Sequence, residues 1–77
     1  MNKQRRAELT EIAEELADIK DRLEAVKDAE QEYLDNMPEN LQGSEKHDLA
    51  ETNVATLDAA CDALEEVYNS VDEVINN

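Results

Sequence analysis

Two series of apolar residues, each stepping alternately by three and four, constrain this chain more than anything else in it. Leu9, Ile12, Leu16, Ile19, Leu23 and Val26 form the first, which continues in step through Glu30, Tyr33 and Met37. Ala50, Val54, Leu57, Cys61, Leu64, Tyr68, Val71 and Ile75 form the second. This spacing marks one stripe of an α-helix in the heptad pattern, and the absence of period-two alternation excludes strands. Between the series lies "NMPENLQGSEKH", which holds the only Pro (Pro38), the only Gly (Gly43) and the only His (His47). Proline biases the residue before it away from helical angles, so the first helix has to stop by Met37. Ser44 is placed to cap a second helix, with Glu45 and Asp48 in its first turn where the helix dipole favours negative charge. Asn36 and Glu39 have capping-box spacing, which predicts an isolated helical turn over "PENL". The expected elements are helices over residues 3–35 and 45–75 with a hinge at 36–44.

Folding the chain back at this hinge pairs Leu9 with Val71, Ile12 with Tyr68, Leu16 with Leu64, Ile19 with Cys61, Leu23 with Leu57 and Val26 with Val54. The expected fold is therefore all-α, a single domain over residues 1–77: an antiparallel, coiled-coil-like two-helix hairpin about 45 Å long at 1.5 Å per residue. In that register Glu30 meets Ala50 and His47 meets Tyr33. The apolar surface is wider than one seam needs. Ala60, Val67 and Val74 each precede a seam residue by one position, and Ala13, Ala17, Ala25 and Ala29 widen the first helix. A chain of 77 residues is marginal in stability by itself. The surplus face predicts a homodimer, a four-helix bundle, or a partner that covers it.

Charge narrows the partners. The formal net charge is −14, from 21 acidic and 7 basic residues, which disfavours direct contact with nucleic acid or anionic membrane, because both are held by Lys and Arg. No stretch approaches the roughly 20 apolar residues that span a bilayer, and no apolar region follows the basic start of the chain. One cysteine, Cys61, permits no internal disulfide, so a reducing, cytoplasmic setting is expected. Catalysis has little to work with. His47 and Cys61 are the sole imidazole and thiol and fall about four turns apart on one helix, and no zinc, phosphate-loop or calcium-loop spacing occurs. The expectation is a non-enzyme without metal or cofactor.

The second helix carries the sharpest functional signal. Glu51, Asp58, Glu65 and Asp72 recur every seven residues, Asp48, Asp62, Glu66 and Glu73 lie beside them, and no Lys or Arg follows His47. Like charges at three- and four-residue spacing cost a helix a few tenths of a kcal/mol each, and acids in a last turn oppose its dipole. Helix stability alone does not ask for this ribbon. Neighbouring carboxylates about 5–6 Å apart resemble a phosphate backbone in spacing, which suits a groove that binds nucleic acid; a purely solubilising charge is the competing explanation. The first helix serves as a control, since its acids are interspersed with Lys20, Arg22 and Lys27, and Asp18 sits at the favourable spacing from Arg22. Lys3, Arg5 and Arg6 are expected to pair with Asp72 and Glu73.

"EYLDNMPENLQGSEKHDLAE", residues 32–51, resembles a segment of small acidic helical proteins encoded by tailed bacteriophages and prophages, in which a Tyr and then "NMPENLQGSE" join two amphipathic helices. The resemblance implies phage origin and the bacterial host cytoplasm, and it brings no catalytic residues. Small acidic phage proteins often disable host proteins that handle nucleic acid, restriction and CRISPR effectors among them, so an anti-defence inhibitor is the first expectation. Its partner is a basic host protein, and its binding residues are Glu51, Asp58, Asp62, Glu65, Glu66, Asp72 and Glu73. The second is a structural adaptor that presents the hinge, with Met37, Pro38, Glu39, Asn40, Leu41 and Gln42 as the recognition residues and Met37 and Leu41 as apolar anchors.

Overall fold

The computed structural model describes residues 1–77. Two long helices, α1 (Lys3–Asp35) and α2 (Glu45–Ile75), pack antiparallel against each other as a hairpin measuring 60 × 14 × 13 Å. The element boundaries coincide with those expected from the breakers. Asn2 Oδ1 accepts the Arg5 N–H at 2.8 Å to open α1, and Ser44 Oγ accepts the His47 N–H at 3.3 Å to open α2, so each helix start satisfies one of its orphan amides. Within the hinge, Glu39–Leu41 form a single 3₁₀ turn as expected, but its cap position is Pro38 and no side chain caps it. Gly43 follows with φ +84°, a left-handed conformation that a side chain would strain. No helix is long and apolar enough to cross a membrane.

The inner face of α2 is the expected one. Ala50 and Cys61 are buried, and Val54, Leu57, Leu64, Tyr68, Val71 and Ile75 are half-buried. The inner face of α1 differs from the expectation. Leu9, Leu16, Leu23, Glu30 and Met37 face α2, but the positions between them are filled by Ala13, Lys20, Lys27 and Leu34. Ile12, Ile19, Val26 and Tyr33 instead stand in solvent, 43, 46, 57 and 52% exposed. The register is also displaced. Lys27, expected opposite Asn53, reaches Asp58 at 3.3 Å, and Glu30, expected opposite Ala50, accepts a hydrogen bond from Asn53 Nδ2 at 3.2 Å. Arg6 donates to the Asn77 carbonyl at 3.2 Å, and no basic side chain pairs with Asp72 or Glu73. Each partner lies three to five positions beyond the expected one, about one helical turn.

The rotation of α1 has a physical reason. The leucine row of α1 belongs to either of two apolar stripes, one running through Ile12 to Tyr33 and the other through Ala13 to Leu34. The observed choice lays the stems of Lys20 and Lys27 along the seam while the Lys27 ammonium reaches Asp58 of α2 and that of Lys20 pairs with Glu24 on its own helix. Ala13, Ala50 and Cys61, three of the four buried residues, are small, which lets the helix axes approach closely. The fourth is Met37, 7% exposed, which folds back over the hinge end of the seam.

Candidate functional site

In an antiparallel pair, residues that immediately precede seam positions on both helices fall on one side of the hairpin, and those that immediately follow fall on the other. The first side takes Ile12, Ile19, Val26 and Tyr33 from α1 with Asn53, Ala60, Val67 and Val74 from α2. The second takes Ala17, Glu24 and Gln31 with Glu51, Asp58, Glu65 and Asp72. The hairpin is therefore two-sided, one long edge apolar and the other acidic. Side-chain placement agrees: Lys20, Ala17, Glu65 and Tyr68 line one surface groove, and Lys27, Gln31, Glu51 and Asp58 line the next along the same edge.

Of the seven ribbon carboxylates, only Asp72 is half-buried, and the other six are exposed. Their electrostatic settings are unequal. Asp58 pairs with Lys27 at 3.3 Å, and the hydrogen bond to Asp58 holds the Lys27 ammonium above the ordinary lysine value of 10.5. Lys20 is raised likewise, chiefly by the hydrogen bond and charge of Glu24, 3.1 Å away, and then by the charge of Glu65. Glu51 lies 3.4 Å from His47 Nδ1, and Asp48 lies 3.9 Å away; the Nδ1 alignment makes no hydrogen bond with either. The row next to the seam is thus partly neutralised by α1. Asp62, Glu66 and Glu73 have no basic group within 4 Å and point away from α1.

The first helix is accordingly no independent solvated control. Lys20 and Lys27 are half-buried against α2, and the i,i+4 ion pair of α1 is Lys20 with Glu24 instead of Asp18 with Arg22. Sequence reasoning missed these two lysines as members of the acidic edge. The available signal was their seven-residue spacing in phase with Ala13 and Leu34.

The hinge residues divide. Met37 is buried and serves as packing, whereas Leu41 is 36% exposed and Pro38, Glu39, Asn40 and Gln42 are exposed. Ala29, Glu32, Tyr33, Met37 and Leu41 line a shallow groove beside the turn. Cys61 is a free thiol, 4% exposed. Its reaction with a thiol reagent such as Ellman's is expected to be slow in the native protein and to become complete within minutes in denaturant. Burst labelling of the native protein would contradict the packing. No group of three or more His, Cys, Asp or Glu side chains is arranged to hold a metal ion. The chain matches no protein-family model, no curated protein and no solved structure.

Proposed function

We propose that this protein is a small acidic inhibitor of phage type, a non-enzyme that binds the nucleic-acid-binding surface of a basic host protein in the bacterial cytoplasm through the carboxylates of α2. The observation that carries this reading is the exposed, outward row Asp62, Glu66 and Glu73, free of basic neighbours on a helix with no Lys or Arg after His47. A rigid helix holds these charges at fixed intervals, so a groove that accepts a phosphate backbone meets a preformed array and pays little ordering entropy. Glu65, Asp58, Glu51 and Asp72 extend the array toward the seam, with Lys27 and Lys20 tempering it there.

Affinity-tagged protein incubated with bacterial lysate is expected to capture nucleic-acid-binding proteins that elute as salt rises, since screening shortens the Debye length from about 10 Å at 0.1 M to about 3 Å at 1 M. Changing Asp58, Asp62, Glu65 and Glu66 to Lys is expected to abolish that capture while circular dichroism still shows a helical protein. Capture that survives the charge reversal would leave the ribbon a solubilising surface. A second reading, an adaptor that presents its hinge, is favoured by the exposure of Leu41 and Tyr33 beside the hinge groove; it predicts that Leu41→Asp, and not the charge reversal, abolishes capture.

A further inference from the structure

The apolar edge of the hairpin has no role in ribbon binding. From its geometry we infer that it is the contact surface for a second copy of this chain, giving a four-helix bundle with one acidic edge facing outward on each side. Ile12, Ile19, Val26 and Tyr33 sit at seven-residue intervals along α1, and Val67 and Val74 continue the surface on α2, all of them 39–57% exposed. On α2 the next row outward is Leu49, Thr56, Ala63 and Ser70, uncharged throughout, so another helix can approach without stranding a charge. The hairpin measures 60 × 14 × 13 Å, and the apolar row from Ile12 to Tyr33 covers about 30 Å of that length at 1.5 Å per residue. At a width of 13 Å it presents on the order of 400 Å² of flat area, the small end of stable interfaces, whose partners bury about 800 Å² each.

Charge selects a copy of the chain over a basic partner at this edge. Glu51, Asp58, Glu65 and Asp72 of α2 lie on the opposite edge while Asp62, Glu66 and Glu73 point away from α1, and on α1 the stripe is bordered by Glu8, Glu15 and Arg22, with Glu11 and Asp18 beyond Ile19 and Glu32 beside Tyr33. Two chains of charge −14 repel each other in every orientation, and joining apolar edge to apolar edge sets their ribbons farthest apart. The pairing also covers what the hairpin leaves open, because only four side chains are buried within a single chain. This inference is independent of what the ribbon binds. Salt distinguishes the two, since added salt strengthens the contact between copies by screening their repulsion and weakens ribbon capture.

Light scattering coupled to size exclusion, on the full chain at about 10–100 µM in about 0.15 M salt, is expected to give twice the chain mass of 8.7 kDa. The melting temperature is expected to climb with concentration over that range. The double variant I19E/V26E is expected to give a single-chain mass with its helicity retained, since both side chains are solvent-facing within the hairpin. A55E, on the acidic edge, is expected to keep the doubled mass. A single-chain mass for the unaltered protein, or a melting temperature independent of its concentration, would overturn the inference. A doubled mass that persists in I19E/V26E would overturn the assignment of this edge.

Discussion

Replacing Met37 by alanine is expected to lower stability by about 2–3 kcal/mol, a fall in melting temperature of about 10–20 °C for a domain of this size. Met37 is the one large side chain that is buried, 7% exposed, and it seals the hinge end where α1 has ended and α2 has yet to begin. Truncation there removes apolar contact and leaves a void that a chain pinned by Pro38 and the following 3₁₀ turn has little freedom to collapse into. Leu41→Ala is expected to cost less than about 1 kcal/mol, because Leu41 is already 36% exposed. Urea denaturation of the two variants measures both numbers. A loss from Leu41→Ala as large as that from Met37→Ala would show that the turn, and not the plug, holds the hinge.

Neutralising the outward carboxylates is expected to act in the opposite direction. The variant D62N/E66Q/E73Q keeps side-chain shape and removes three charges. Asp62 has Asp58 four residues before it, Glu65 three after and Glu66 four after, each a repulsion of a few tenths of a kcal/mol. Glu73 lies in the last turn of α2, where the dipole disfavours an anion. These sum to a gain of about 1 kcal/mol, a rise of roughly 4–8 °C in melting temperature. The gain is expected to shrink in 1 M salt, where the Debye length is about 3 Å. A protein that becomes more stable while losing capture would carry its ribbon for binding at a cost in stability. An unchanged melting temperature at low salt would mean that the carboxylates are spaced too widely to repel.

The helices, the hinge and the inner face of α2 were legible in the sequence because each rests on local chemistry. Pro38 and Gly43 break helices wherever they occur, Ser44 offers an oxygen to a nearby amide, and α2 has one apolar stripe continuous along its length. The inner face of α1 was not legible in the same way. Its leucine row is flanked by Ile12, Ile19, Val26 and Tyr33 on one side and by Ala13, Lys20, Lys27 and Leu34 on the other. A count of apolar residues favours the first flank. Hydropathy ranks lysine last for a seam, yet in a two-helix seam open to water along both edges its stem can be covered while its ammonium stays wet. The acidic ribbon was visible as a pattern, but its partial neutralisation by Lys20 and Lys27 depends on that rotation.

By itself, then, the sequence determined that two helices form, where they stop and that they fold back on each other, since capping, chain breaking and a heptad stripe operate within a few residues of one another. Only the tertiary structure decided which stripe of α1 meets α2 and in what register. That choice weighs side chains more than 20 positions apart, Lys27 with Asp58 and Glu30 with Asn53, against the larger apolar surface that the other rotation of the same helix would bury. The observed rotation left Ile12, Ile19, Val26 and Tyr33 outside and gave the hairpin one apolar and one acidic edge.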